Sequence, residues 1–306
     1  MIRRPEVVVI GDALLDVTAR PAAKLRPGAD VPAEVRIGPG GQGANLAVRL
    51  ARRGVKVELV CALGDDAGGT LLRRELEREG IGLSDVPADA TGTVVILLDE
   101  RGERTMLSHR VPFAAGAAGA AAAVGDAVAW VVLSGYLLLE PGGGDLATAL
   151  GRQPSRRVLV GCTVPDGMTD RWAGAAATLR PDLLVLNRDE ALALVRGARD
   201  VDEVAEVLAE RLGSGIVVTD PSGVTARLNG MGGSVRVTAG APATDTTGAG
   251  DAFAAALLAS LLGVPWPPSS EALGAALTAA SEAASAVAAA VGAQARVVGE
   301  PPAAVR

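Results

Sequence analysis

The sequence contains few aromatic residues and only one histidine. Phe, Trp and Tyr make up 2% of its 306 residues, so a core must be built from Ala, Val and Leu. Aromatic platforms on which nucleic-acid bases stack are therefore nearly excluded. The single histidine, His109, has no nucleophile-elbow motif near it, which argues against a Ser-His-Asp hydrolase and leaves a surface or substrate-facing residue.

Cysteine is equally scarce, and no apolar run is long. Cys61 and Cys162 lie in apolar, strand-like segments, which indicates reduced thiols in a core rather than a disulfide framework. No apolar run reaches the ~18–20 residues of a membrane span without glycine or charge. The first residues lead into a strand rather than a signal segment. We therefore expect a cytoplasmic protein with no membrane partner.

Positive charge does not exceed negative charge. The chain has 29 Lys and Arg residues against 35 Asp and Glu residues, a net charge of −6 and a pI near 5.0. This balance gives no electrostatic footprint for DNA or RNA, so we expect no nucleic-acid partner. With 49% hydrophobic residues and neither an internal repeat nor a domain linker, residues 1–306 are predicted to form a single domain.

Short apolar runs alternate with helical segments along the chain. The runs lie at residues 7–10, 55–63, 128–133, 158–162, 183–186 and 216–219. This order predicts an α/β fold with a mostly parallel sheet, helices on both faces and right-handed crossovers. Ligands of such sheets bind at the carboxyl ends of the strands.

A glycine-rich turn that opens an apolar helix is the most distinctive segment. Residues 245–251 read Asp-Thr-Thr-Gly-Ala-Gly-Asp, and the helix that follows has almost no polar face before Gly263. Gly248 and Gly250 allow the backbone to approach a ligand, and the helix start offers unpaired N–H groups at the positive end of its dipole. We predict an anion site there, for phosphate.

Asp251 ends this motif, where a carboxylate would repel a phosphate group unless it had another task. One interpretation is a general base that accepts the proton of an attacking hydroxyl group in phosphoryl transfer. The other is a helix cap, because acidic residues are favoured in a first turn. The residues alone leave both interpretations open.

Two further segments place polar side chains at helix starts. Residues 38–45 form a second glycine-rich turn, which lacks the ending of a P-loop and the third glycine of a dinucleotide fingerprint. Asn187 and Glu190 follow a buried strand and lie one helical turn apart, where an amide and a carboxylate suit a water-clad Mg²⁺ ion. By themselves, these two residues favour a capped helix start.

These motifs, in this order and at this separation, resemble those of the ribokinase-like family, the PfkB carbohydrate kinases, over essentially the whole chain. The resemblance implies a three-layer α/β/α fold with a mostly parallel central sheet and a small β-sheet lid. It also implies an ATP-dependent kinase that phosphorylates an alcohol group of a sugar, sugar acid or nucleoside, with Mg²⁺ as a second cofactor.

The resemblance assigns roles to individual residues. Asp251 matches the catalytic base of the family. The backbone anion hole corresponds to Gly248, Ala249 and Gly250. The positions that hold the hydroxyl groups of the acceptor correspond to Asp16, Gly40, Gly41 and Asn45.

It also assigns the cofactor sites. Asn187 and Glu190 match an element associated with Mg²⁺ and phosphate, which reverses the preference for a simple cap. Asp245 and Thr247 match a site for a monovalent cation, K⁺, in many relatives, although both side chains suit turn hydrogen bonds equally well. Residues 19–37 and 97–108 are similar to the lid of the family, which closes over the sugar, excludes water and in several members makes the contact of a homodimer.

One segment departs from the family pattern. Thr219 and Gly223 match the turn that reaches the nucleotide, but Asp220 adds negative charge near the expected triphosphate and Pro221 removes a backbone donor. We therefore expect an altered ATP affinity or nucleotide choice.

Three functions follow from these observations. The first is a kinase of a sugar or sugar acid with Asp251 as base. The second is a nucleoside kinase of the adenosine or pseudouridine type, which the scarcity of aromatic residues disfavours because the first half has only Phe113, Trp130 and Tyr136. The third is a non-catalytic sugar-binding regulator whose altered turn has lost ATP.

Overall fold

The computed structural model describes residues 4–99, 104–113, 119–120, 122, 124, 128–228, 235–238, 248–289 and 294. The strands are β1 (Val7–Ile10), β2 (Leu14–Pro21), β3 (Ala33–Gly40), β4 (Val57–Gly64), β5 (Gly82–Ala88), β6 (Thr93–Leu98), β7 (Arg104–His109), β8 (Trp130–Ser134), β9 (Arg156–Val160), β10 (Leu183–Asn187), β11 (Gly215–Asp220), β12 (Gly223–Arg227) and β13 (Val235–Thr238). The helices among these residues are α1 (Gln42–Ala51), α2 (Ala67–Arg78), α3 (Gly143–Gly151), α4 (Thr169–Leu179), α5 (Arg188–Leu194), α6 (Val201–Leu212), α7 (Ala249–Leu261) and α8 (Ser270–Ala288).

A nine-stranded sheet forms the centre of the fold. Its order is β13-β12-β11-β10-β9-β8-β1-β4-β5, and every neighbouring pair from β11 to β5 is parallel. The last two strands on one edge, β12 and β13, are antiparallel. The predicted mostly parallel sheet is confirmed, and each apolar run that predicted a strand lies in it.

Helices cover both faces of this sheet, because its strands carry apolar side chains on both sides. Val7 and Val9 of β1 pack with α1, α2, α7 and α8, whereas Val8 and Ile10 pack with α3, α4, α5 and α6. This division gives the predicted three layers.

Four strands form a second sheet, which we call the small sheet. Its order is β3-β2-β6-β7. Residues 19–21, 33–37, 97–98 and 104–108 of the predicted lid segments lie in it, but β2 and β6 begin at Leu14 and Thr93, before the predicted lid bounds at residues 19 and 97. The boundaries differ because the alternation in β2 and β6 continues into residues that also line the core. Asp16 therefore lies within the small sheet.

Cys61 and Cys162 are both buried and free, as expected of core residues. None of the helices in the described part of the chain is long and apolar enough to cross a bilayer.

Candidate active site

Polar side chains gather where the strand order of the large sheet reverses. β1 lies between β4 and β8, so the connections leave it in opposite directions and open a crevice at the carboxyl ends. Asp12 follows β1, Ser134 ends β8, and Gln42 begins α1. The Ser134 hydroxyl lies 2.7 Å from Gln42 Oε1 and 3.3 Å from Asp12 Oδ1, and Gln42 Nε2 donates to the Gly161 carbonyl at 2.8 Å.

Glycines allow the first turn of α1 to lie against the end of β1. A Cβ on Gly43 would lie 2.6 Å from the carbonyl carbon of Gly11, closer than any side chain tolerates. Gly41 is the N-cap of α1 with a φ of 91°, a conformation that favours glycine. Sequence reasoning gave Gly43 no role of its own, and the close approach to the Gly11 backbone supplies one.

Asp251 lies in the first turn of α7, half-buried beneath the crevice. Asn45 of α1 donates a hydrogen bond from Nδ2 to Asp251 Oδ2 at 2.9 Å. The pKa of Asp251 is raised to about 7, mainly by burial and also by the charges of Asp12 and Glu190, against the opposing effects of the Asn45 hydrogen bond and the Arg49 charge. A carboxyl group with this pKa can take up a proton near neutral pH.

The backbone at the start of α7 is open to a ligand. Gly248, the N-cap, has a φ of 73°, and no side chain of the described residues caps the helix. A Cβ on Gly250 would meet no described atom within 4 Å, so among these residues space remains beside the first turn that includes Ala249. Uncapped N–H groups at a helix N-terminus suit an anionic ligand. These features fit the predicted phosphate site.

Asp16 of β2 and Gly40 of β3 lie against each other in the small sheet. A Cβ on Gly40 would overlap the Asp16 carboxyl group, so the glycine leaves room for that side chain. The pKa of Asp16 is raised to about 6, mainly by burial and also by the Asp12 charge, while the Arg110 charge opposes the shift. Four residues predicted to hold the acceptor, Asp16, Gly40, Gly41 and Asn45, therefore lie around the same crevice as Asp12.

Arg110, which sequence reasoning missed, contacts both Asp12 at this crevice and the ring of Tyr136. Its guanidinium group forms an ion pair with Asp12 and lies 3.7 Å from the ring centroid of Tyr136. Glu140, nearby, accepts a hydrogen bond from the Phe113 backbone N–H at 2.8 Å, and burial raises the pKa of its carboxyl group.

Asn187 and Glu190 form a capping box at the start of α5. The Glu190 backbone N–H donates to Asn187 Oδ1 at 2.9 Å, and the Asn187 backbone N–H donates to Glu190 Oε2 at 3.0 Å. Burial raises the pKa of Glu190, and its charge is close enough to raise that of Asp251. The described residues contain no group of three or more His, Cys, Asp or Glu side chains that would bind a metal directly.

The turn that departs from the family pattern carries a negative charge, Asp220, that is paired with a positive side chain. Thr219 pairs with Asn187 in register across β10 and β11, and Asp220 pairs with Gly223 in the hairpin that follows. The Asp220 carboxylate forms an ion pair with Arg188 at 2.8 Å, and hydrogen bonds from Ser222 lower its pKa to about 2. Sequence reasoning left out Arg188 as the partner of this charge, and the effect of the turn on ATP affinity or nucleotide choice stays a prediction.

Asp245 and Thr247 lie outside the described residues, so the cation site stays a prediction. His109 is exposed at the end of β7, in agreement with a surface residue. The residues that sequence reasoning missed are Asp12, Gln42, Arg110, Ser134, Glu140, Arg188 and Gln294. Asp12 and Ser134 could have been predicted only from their positions at the ends of strands. Arg110 and Gln294 could not, because contacts between distant parts of the chain bring them to the site.

The chain is similar to known proteins over most of its length. A model of the pfkB family carbohydrate kinases matches residues 4–298. A fructokinase of Klebsiella pneumoniae is 31% identical over 291 residues, which cover 85% of this chain and 86% of that protein.

Solved structures are similar over almost the whole chain. The ribokinase of Thermotoga maritima has a TM-score of 0.75 at 21% identity and covers 95% of both chains. The adenosine kinase of Sinorhizobium meliloti has a TM-score of 0.77 at 21% identity, with 96% of this chain and 97% of that chain covered. At these identities the similarity confirms the predicted fold.

Proposed function

Because the chain belongs to the PfkB family of carbohydrate kinases, we propose that it transfers the γ-phosphate of ATP to a hydroxyl group of a neutral sugar, with Asp251 as the general base. The family membership makes the chain an ATP-dependent phosphotransferase with an alcohol group as acceptor, and the hypothesis of a non-catalytic regulator is not retained. The observation that carries the proposal is the desolvated carboxyl group of Asp251 at an uncapped helix start.

Each side of Asp251 has a task in this proposal. On one side, the backbone N–H groups of Gly248, Ala249 and Gly250 would stabilise negative charge on the transferred phosphoryl group. On the other side, the acceptor hydroxyl group would lose its proton to the carboxylate as it attacks phosphorus. Asn45 donates to Oδ2 at 2.9 Å, which holds the carboxylate in place.

Charges around the acceptor end support a neutral substrate. Asp12, Asp16 and Glu140 lie there, and the one described positive group among them, Arg110, is already paired with Asp12. Carboxylates accept hydrogen bonds from sugar hydroxyl groups but repel a second carboxylate or a phosphate ester. We therefore propose a neutral sugar rather than a sugar acid.

The surroundings of the aromatic residues also favour a sugar over a nucleoside. Arg110 covers one face of Tyr136 at 3.7 Å, Phe113 packs against the core, and Trp130 is buried at 1% exposure. Nucleoside recognition draws on stacking against aromatic rings, and these three rings are engaged already. The adenosine kinase with a similar structure keeps the nucleoside as the alternative.

The nucleotide would lie toward β10 and β11. Asn187, Glu190, Thr219 and Gly223 line this end of the sheet. Bound Mg²⁺ would neutralise phosphate charge, and we propose that Glu190 and Asn187 contact it through water, because both already serve the capping box. A K⁺ ion at Asp245 and Thr247 is proposed on the family resemblance alone.

The buried thiols Cys61 and Cys162 suit the reducing cytoplasm, which we propose as the compartment.

An acceptor panel tests the proposed substrate class. Fructose and ribose are expected to raise the thermal midpoint, whereas ketodeoxygluconate and nucleosides are not, because a ligand at about 100 times its Kd stabilises by about 2.7 kcal/mol. In Asp12→Asn, Arg110 loses its counter-charge, and ketodeoxygluconate is expected to gain affinity. Stabilisation of the unaltered protein by the sugar acid alone, or by nucleosides alone, would contradict a neutral sugar acceptor.

The small sheet is proposed as a lid that also forms a homodimer. One of its faces carries Asp16 toward the crevice. The other face has an apolar row that crosses all four strands, formed by Ile37, Val17, Val95 and Leu107. Ile37 is 60% exposed and Leu107 is 58% exposed, and such a contiguous apolar face is typical of an interface. We propose that a second copy of this chain covers it.

Charge on that face is expected to separate the dimer. Leu107→Glu places a carboxylate in the apolar row, so light scattering should give the mass of a monomer for this variant and of a dimer for the unaltered chain. Met106→Glu is the matched control, because Met106 is 51% exposed but points to the other face of β7. A dimer that survives Leu107→Glu, or an unaltered chain that is monomeric at all concentrations, would contradict the proposed interface.

A further inference from the structure

A chain of two amide hydrogen bonds reaches Asp251 from the C-terminal region. Gln294 donates from Nε2 to Asn45 Oδ1 at 2.9 Å, and Asn45 donates from Nδ2 to Asp251 Oδ2 at 2.9 Å. Resting on the proposed role of Asp251 as base, we infer that Gln294 is a positioning residue that fixes the Asn45 amide so that its donor always faces Asp251. Gln294 acts through Asn45 and not on the substrate.

The amide of Asn45 needs such a partner, because a rotation by a half-turn exchanges its oxygen and nitrogen in nearly the same space. An ionised Asp251 only accepts hydrogen bonds, so it is stabilised by Asn45 Nδ2 and repelled by Asn45 Oδ1. Gln294 offers a donor to Asn45 Oδ1. With Asp251 ionised, the one arrangement that satisfies all three side chains places the Asn45 donor on the base.

Gln294 is itself held in place from α1. Arg52 Nη1 donates to the Gln294 backbone carbonyl at 3.0 Å. The same guanidinium group binds Glu79 through two hydrogen bonds of 3.0 and 2.7 Å, and the Arg52 side chain is buried while that of Glu79 is 15% exposed. The backbone of residue 294 therefore has a fixed position, which makes its side chain a stable partner for Asn45.

Other charges near Asp251 come from separate elements. Asp12 follows β1, Glu190 lies in α5, and Arg49 lies in α1. A change at residue 294 leaves these three groups as they are. Any change in the protonation of Asp251 on such a substitution is therefore transmitted through Asn45 or through charge at residue 294.

Gln294→Glu is the decisive variant. A glutamate keeps the shape of the side chain but only accepts hydrogen bonds when ionised, so it competes with Asp251 for the Asn45 donor. The acid limb of kcat/KM, which reports the base in the free enzyme, is expected to move upward by about one pH unit or more, since a hydrogen bond to a charged group is lost. Gln294→Met, which lacks the donor but adds no charge, is expected to move the limb by less and to lower kcat a few-fold.

Two controls separate this effect from charge and from misfolding. Gln153→Glu makes the same chemical change just before the amino end of β9, away from the crevice at the carboxyl ends of the strands, and is expected to leave the profile unaltered. The ¹³C resonance of the Asp251 carboxyl group, assigned with Asp251→Asn, gives the same pKa change without turnover. Thermal unfolding establishes that each variant is folded.

The outcomes are distinct. The inference is overturned if a folded Gln294→Glu titrates like the unaltered protein, or if Gln294→Glu and Gln294→Met give the same limb. If Gln294→Glu does not fold, a folded Gln294→Met with unaltered kcat and unaltered limb overturns it. The proposed function fails separately, if the unaltered protein phosphorylates no sugar or if Asp251→Asn keeps full activity.

Discussion

Replacement of Asp251 by asparagine is expected to lower kcat by roughly 10²-fold or more, because a general base contributes about 10²–10⁴-fold to proton transfer. The substitution keeps the size of the side chain and its acceptor for the Asn45 hydrogen bond. Binding of ATP and sugar should therefore change little. A coupled assay of ADP release, with the sugar identified by the acceptor panel, measures kcat and both KM values.

A matched control comes from α3. Asp145 occupies the third position of that helix, behind an N-cap glycine, Gly142, with a φ of 88°, as Asp251 does in α7 behind Gly248. Asp145 is exposed at the surface. Asp145→Asn is expected to keep full activity. Equal losses in the two variants would mean that helix capping, and not proton transfer, accounts for the effect.

The same carboxyl group sets the pH dependence. With a pKa of about 7 for Asp251, kcat/KM should fall tenfold per pH unit below that value. The free energy of unfolding changes with pH in the opposite direction and falls as the pH rises. The reason is that the folded state binds this proton more tightly than the unfolded chain, whose Asp pKa is about 3.9. Its contribution to stability declines between about pH 4 and pH 7, so Asp251→Asn should unfold at pH 8 at a temperature no lower than that of the unaltered protein.

Gly40→Ala is expected to raise the acceptor KM by about 10–10²-fold while the ATP KM stays nearly unchanged. The new Cβ would overlap the Asp16 carboxyl group, and β3 is fixed to β2 by the pairing of Leu14 with Gly40. Asp16 must then turn away from the crevice. The acceptor would lose hydrogen bonds to a charged group, each worth about 1.5–3 kcal/mol.

Gly38→Ala provides the control on the same strand. Gly38 lies two residues before Gly40, on the same face of β3, and a Cβ there would meet no atom within 4 Å. This variant is expected to bind the acceptor normally. The proposed role of Asp16 would be contradicted if both alanine variants, or neither, changed the acceptor KM.

Much of the fold was predictable from local patterns. Runs such as residues 183–186 are apolar on both faces, and in a parallel sheet this pattern has few alternatives. The start of α7 was equally predictable from the sequence, because glycines followed by an apolar helix indicate that a ligand can approach the backbone closely at Gly248. Asp251 and Asn45 were singled out separately, and the hydrogen bond between them joins residues 206 positions apart.

What escaped prediction depends on contacts between distant segments. Arg110 follows β7 and reaches Asp12 after β1, a contact across 98 positions that no local spacing reveals. Asp220 and Arg188 neutralise each other because β10 and β11 are adjacent in the sheet. The sequence marked Asp220 as a charge, but its partner depends on strand order. Gln294 is similar, since its contact with Asn45 spans 249 positions.

A crystal structure with the sugar acceptor and a non-hydrolysable ATP analogue tests the central claim most directly. The account predicts that one sugar hydroxyl group lies within about 2.6–3.2 Å of an Asp251 carboxylate oxygen, with the terminal phosphate at the start of α7 beyond it. A sugar whose hydroxyl groups all lie away from Asp251, or a phosphate bound elsewhere in the crevice, would contradict it.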